Sequence, residues 1–208
     1  MAANPIAPDI ALPVSATPSR PASRKLTYDD FLALPDDGKR YEIIEGVLYV
    51  SNAPAFNQQF VVSELMFALQ TFVKPKQLGI VLPAPFEVHL AGDTRPVQPD
   101  LLFIAAARQP QAGAKFFEGA PDLIVEVLSP SSLRVDRVIK FATYEKAGVT
   151  EYWIADPKTR TIEVYVLTRL EDSATEYVLL GSFGPGETVQ SSVLPGIDLA
   201  TQPMFASA

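Results

Sequence analysis

The sequence predicts a mixed α/β fold (α+β), with a central mixed sheet flanked by helices and antiparallel strands towards the C-terminus. Three observations carry this. Residues 121–157 read PDLIVEVLSPSSLRVDRVIKFATYEKAGVTEYWIADP: an apolar run, a Ser/Pro turn, a stretch of helical spacing that stops at Gly148, and a second apolar run. That is strand, turn, helix, strand. Along the whole chain the order is helix, strands, helix, three strands, helix, then a run of antiparallel strands, which suits one sheet with helices against it. Finally, 48% of the 208 residues are hydrophobic, enough for a sizeable core. A single domain is expected over residues 24–200.

The elements follow in order. Residues 1–23 hold five prolines among Ala, Ser and Thr and predict a flexible, proline-rich tail. Residues 26–33 predict a short helix, capped by Thr27 and with Asp29 and Asp30 in the first turn. In residues 41–50, YEIIEGVLYV predicts two short strands or one bent at Gly46, and Glu45-Gly46 suits a tight hairpin turn. Residues 54–73 predict a long helix with Phe60, Val61, Leu65, Ala68 and Phe72 on one stripe. Residues 80–90 read as a strand broken by Pro83 and Pro85, residues 97–105 as the next, and residues 109–119 as a loop. After the 121–157 block, residues 160–168 alternate well and predict a hairpin partner of residues 150–155. Residues 176–182 predict another strand and residues 189–194 a last short one; residues 201–208 read as a C-terminal tail.

Charge and composition narrow the function. The net charge is −7, so the average surface repels nucleic acid, and any contact with it needs a local basic patch. There is no cysteine, which removes disulfides, thiolate chemistry and Cys-based zinc sites and fits a reducing cytoplasm. No apolar run reaches membrane-spanning length, and no basic-then-apolar segment opens the chain, so neither a membrane anchor nor a secretory signal is expected.

One residue stands out. Glu126 lies among Leu123, Ile124, Val125, Val127 and Leu128, a run expected to be buried on both faces. An ionised carboxylate there is costly unless it is paired, protonated or metal-bound. A strand-end glutamate facing solvent is the plainer reading. Two features oppose it. Pro99-Asp100 opens another apolar run, so Asp100 and Glu126 can share one sheet edge if their strands are neighbours. Asp136, Lys140 and Tyr144 are spaced i, i+4, i+8 and share a helix face. Two adjacent carboxylates raise each other's pKa unless a divalent cation neutralises them, and Mg²⁺ commonly uses one or two carboxylates. A nearby lysine would stabilise charge developing on phosphate. The plainer reading of the helix trio is an exposed ion-paired face worth ~0.3–0.5 kcal/mol per pair. His89, within FEVHL, reads as structural or surface, Asp122 as a cap at the strand entry, and the Ser129, Ser131 and Ser132 cluster as a turn.

A Pro-Asp, a later strand glutamate and a nearby lysine resemble the PD-(D/E)XK nuclease superfamily. The chain is more closely similar to the Uma-two family of bacterial restriction-endonuclease-like proteins. The similarity lies in YEIIEGVLYV, QPDLLFI, PDLIVEVLSPSS, DRVIKFATYEKAGVTEYWIADP and RTIEVY. It implies a restriction-endonuclease-like core, an endonuclease acting on DNA with Mg²⁺ or Mn²⁺, and a cytoplasmic bacterial protein. By position, Asp100 and Glu126 would hold the metal, Lys140 would be catalytic, and Glu42, Asp136 and Tyr144 would support them. The lysine usual two residues after the glutamate is absent, since position 128 is Leu. Where the family often has a histidine early in the long helix, this chain has Asn57-Gln58; Asn57 is the expected supporting residue there, although an amide cannot serve as a general base. That departure opens an alternative, a degenerate nuclease fold that binds nucleic acid or protein without cleaving. A homodimer is also expected, with the apolar strands after Thr150 offering an edge. The expectation rests on Asp100, Glu126 and Lys140 meeting at a solvent-reachable pocket beside the sheet.

Overall fold

The computed structural model describes residues 24–206 except 93 and 172. The expected proline-rich tail, residues 1–23, and the last two residues lie outside the described residues. Among the described residues no helix is long and apolar enough to cross a membrane.

A six-stranded mixed sheet forms the frame. Its strands are β3 (Gly79–Pro83), β5 (Leu101–Ala105), β7 (Leu123–Val127), β8 (Glu151–Asp156), β9 (Thr161–Arg169) and β10 (Thr175–Phe183). They lie in the order β10-β9-β8-β7-β5-β3. Only β7 and β8 are parallel; every other neighbouring pair is antiparallel. The parallel pair needs a crossover. That crossover is a π-helical segment (Val135–Lys140) running into α3 (Phe141–Ala147), which ends at Gly148 in the left-handed conformation, φ 85°.

Residues alternate across each strand, so the two faces of the sheet carry separate cores. On one face Leu101, Phe103, Leu123, Val125, Val127 and Trp153 pack against α2 (Phe56–Val73) through Val61, Leu65, Leu69 and Val73. On the other, Leu102, Ile104, Ile124, Tyr152 and Ile154 pack with Tyr144. There the Phe141 ring meets Tyr152, Tyr165 and Tyr177 edge-on, with centroids 6.2, 4.9 and 5.1 Å away, and seats the crossover on β8–β10. The same face carries the hairpin of β1 (Arg40–Ile44) and β2 (Val47–Ser51). Its turn is Glu45-Gly46, with φ 50° and 81°, the two-residue turn that matches strand twist. Thr27 caps α1 (Tyr28–Leu32) in a reciprocal capping box with Asp30.

The structure departs from the sequence expectation in five places. Residues 80–90 form two strands, β3 and then β4 (Glu87–His89), because Pro83 and Pro85 remove backbone donors between them. The strand expected over residues 97–105 starts at Leu101, and Val97 makes only an isolated bridge to Val88. The loop expected over residues 109–119 contains β6 (Phe116–Glu118), parallel to β4. The last strand, expected over residues 189–194, is only β11 (Thr188–Val189), paired with β12 (Leu199–Ala200). The expected C-terminal tail is not loose: it forms α4 (Thr201–Met204), and Thr201, Met204 and Phe205 are buried, the two apolar residues in the α2-side core.

Glu151, fully buried at the start of β8, explains why residues 191–193 do not extend a strand. Its carboxylate accepts hydrogen bonds from Trp153 Nε1 (2.6 Å), Ser191 Oγ (2.6 Å), Ser192 N (2.6 Å), Ser192 Oγ (2.7 Å) and Val193 N (3.1 Å). Backbone donors that would enter a ladder bond this carboxylate instead, which is the condition for burying it.

Candidate active site

Six charged side chains meet on the α3 face, beyond the C-terminal end of β7. Asp100 immediately precedes β5. The antiparallel register pairs Leu101 with Val125, so continuing it by one residue sets Asp100 opposite Glu126. Glu126 lies one residue from the end of β7, on the side opposite Val125 and Val127. Arg40 and Glu42 come from β1, two residues apart and therefore on one face of that strand. Asp136 and Lys140 come from the π-helical segment, and Tyr144 from α3.

The contacts are short and shared. Lys140 Nζ lies 2.9 Å from Glu126 Oε1, 3.0 Å from Glu42 Oε2 and 3.8 Å from Asp136 Oδ1. Tyr144 Oη donates to the same Glu126 oxygen at 2.9 Å. Glu42 Oε1 accepts from Gln98 N at 2.8 Å, and Asp100 Oδ2 accepts from Val127 N at 2.9 Å. Arg40 Nη1 donates to Asp100 Oδ1 at 2.9 Å and to the Gln98 carbonyl at 3.2 Å. Tyr152 Oη donates to the Asp136 carbonyl at 3.1 Å and fastens the π-helical segment to β8.

Four carboxylates face two cations in this cluster, so full ionisation leaves two negative charges in excess. Each of the four, and Lys140, is at most 6% exposed. Burial pushes the Glu126 carboxyl up to about 8, against the pull of Lys140 and with the push of Asp100, Asp136 and Glu42. Burial likewise raises Asp136 to about 6, again opposed by Lys140. Burial alone would lower Lys140; Glu126, Glu42 and Asp136 outweigh it, so the amine is held above its ordinary value and stays charged. Burial and the Glu126 charge keep the Tyr144 hydroxyl protonated, a fixed donor.

The structure therefore brings Asp100, Glu126, Lys140, Glu42, Asp136 and Tyr144 together. Asn57 does not join them, because it is exposed on α2. Gln58, its neighbour, turns inward and donates from Nε2 to the Val127 carbonyl at 2.8 Å. Gln58 is in phase with Val61 and Leu65 on the buried stripe, and that phase is the signal that separates it from Asn57. Arg40 joins the cluster without having been singled out by its neighbours in sequence; the signal is its i, i+2 spacing from Glu42. The expected open pocket is the other correction. The groups meet in a nearly sealed cluster, and the 21% exposed Arg40 side chain stands at its edge.

The candidate donors are carboxylate oxygens, which suit Mg²⁺ or Mn²⁺ and not a thiolate-loving metal, and the charged Lys140 amine lies beside them without being a ligand. Among the described residues no three acidic or imidazole side chains converge as a ready-made cage. Mg²⁺ needs no such cage: one or two carboxylates suffice, with waters and phosphate oxygens. Asp100 and Glu126, set opposite each other on neighbouring strands, are the two carboxylates that could form such a pair.

A family model, Uma2, described as "Putative restriction endonuclease", matches residues 28–202. Among solved structures, the chain is similar to "a putative nuclease belonging to DUF820" from Anabaena variabilis ATCC 29413, with 24% identity and a TM-score of 0.72. That match covers 87% of this chain and 98% of the other, and it shows a shared restriction-endonuclease-like fold. No curated protein matches.

Proposed function

Since this chain belongs to the Uma2 family, we propose that it is a divalent-metal-dependent nuclease hydrolysing phosphodiester bonds of DNA, with Asp100 and Glu126 as the metal-holding carboxylates and Lys140 as the amine of the site. The observation that carries this reading is the burial of four carboxylates, two of them from the neighbouring β5 and β7 segments, against two cations, a pattern that is costly in a dry interior unless a divalent ion or protons relieve it. Mg²⁺ or Mn²⁺, when bound, supplies a water of lowered pKa and neutralises charge on the phosphate. Lys140 holds Glu126 and Glu42 in place, and its raised pKa makes it a fixed positive charge for the phosphate, not a proton acceptor. Val127 N orients Asp100, and Tyr144 orients Glu126.

The test is cleavage of plasmid, linear and single-stranded DNA in Mg²⁺ or Mn²⁺, comparing wild type with Asp100→Ala, beside calorimetric titration of Mn²⁺. Cleavage that the substitution abolishes supports the reading. Cleavage that survives it, or a wild type that neither cuts nor binds Mn²⁺, refutes it. One observation favours a second reading, a degenerate fold that binds without cutting: the inward residue of α2 is Gln58, an amide that takes up no proton near neutral pH. Mn²⁺ binding without cleavage of any of the three substrates would select it. Pairing of two copies belongs to the same proposal, through the open edge of β10, where Val178, Leu179 and Leu180 are exposed.

A further inference from the structure

Asp100 is held at both oxygens, in two different ways. Oδ2 accepts from Val127 N, a backbone group fixed in β7. Oδ1 accepts from Arg40 Nη1, the end of a long side chain. Arg40 is 21% exposed where Lys140 is 3% exposed, so the guanidinium has a path to water that the amine lacks. Its charge also acts on Glu42 and Glu126 across the cluster. The other side-chain partners of the carboxylates are the sealed Lys140, the sealed Tyr144 and the neutral Ser132 hydroxyl on Asp136. Among the described residues, Arg40 is thus the member of the cluster free to leave without unpacking the core.

We propose that Arg40 is a built-in counter-ion. It neutralises Asp100 while the site is empty, and it swings out when a divalent ion takes Asp100 Oδ1. The two cations compete for one oxygen, so Arg40 sets the affinity and selects against monovalent ions, which bring too little charge to displace it. This proposal rests on the reading of Asp100 as a metal ligand. Arg40 is a positioning residue here, acting through Asp100. No titration is involved, because a guanidinium stays charged at any accessible pH.

The experiment uses the full chain, with Mn²⁺ as the probe and the free ion followed by electron paramagnetic resonance. Arg40→Gln removes the charge and keeps a hydrogen-bonding amide, and it is expected to bind Mn²⁺ about tenfold more tightly, the scale of one partly screened unit charge a few ångströms from the ion. Arg40→Lys keeps the charge and is expected to stay near wild type. Equal affinity in Arg40→Gln and wild type, or weaker binding in Arg40→Gln, overturns the proposal. A gain in Arg40→Lys as large as that in Arg40→Gln also overturns it, because packing and not charge would then be responsible. If Asp100→Ala binds Mn²⁺ as wild type does, the metal reading itself fails, an outcome distinct from the failure of Arg40 alone. A thermal melt of each variant with and without Mn²⁺ checks folding: Arg40→Gln is expected to gain more from the ion than wild type does.

Discussion

Lys140→Met is the sharpest perturbation of the cluster. Methionine keeps much of the unbranched stem and discards the ammonium, so packing changes little while three carboxylates lose their shared partner. Breaking a buried ion pair from one side costs about 3–5 kcal/mol, because the remaining charge is left unpaired. That cost depends on pH in a definite direction. Glu126 and Asp136 have folded-state values raised to about 8 and about 6, so the folded protein binds protons that the unfolded chain has released. Stability therefore falls as pH rises from the ordinary carboxylate range towards those values. Lys140 restrains both shifts, so its loss raises them further and extends the fall past pH 8. The penalty of Lys140→Met is expected to be about 1 kcal/mol near pH 5, where protons do the neutralising, and about 3–5 kcal/mol near pH 8. Urea unfolding in chelator at the two pH values measures it. The single tryptophan, Trp153, is fully buried and reports unfolding by its fluorescence. The same penalty at both pH values would refute the charge argument and leave Lys140 a packing residue.

Two further outcomes follow. Glu151→Ala strips the acceptor from Trp153 Nε1 and from the Ser191–Val193 segment, and it is expected to cost about 3–5 kcal/mol. Hydrogen exchange at the Ser192 and Val193 amides should rise well above the loss of global stability, and unchanged exchange would mean the segment is held by something else. Leu179→Lys on the β10 edge is expected to convert a dimer to a monomer in sedimentation equilibrium, and a wild type already monomeric across the concentration range would rule out pairing at that edge.

Asp100, Glu126, Lys140 and Tyr144 were legible in the chain because each carries a local mark. Glu126 interrupts a fully apolar run, Asp100 opens one, and the helix residues repeat every four. The remaining parts have no such mark. Strands β4 and β6 are three residues each, too short to show periodicity, and they pair across a gap that only the tertiary fold closes. Residues 201–206 look weakly patterned because their burial is set by α2, not by their own spacing. Glu151 reads as an ordinary charge at a strand entry, since its five donors lie within its own strand and about forty residues downstream. Burial of the cluster was hidden for a similar reason: its lid is Arg40 and Glu42, which close on it from β1, with Arg40 reaching Asp100 across 60 residues of chain.

The π-helical segment has a geometric consequence for the amine and the phenol. An α-helix overshoots a full circle by about 40° every four residues, so side chains at i, i+4 and i+8 fan across about 80°. A π turn holds more residues and lags where the α turn leads. Residues 135–140 wind the wide way and residues 141–147 the tight way. The two phase errors oppose each other, and Asp136, Lys140 and Tyr144 point along one line at β7.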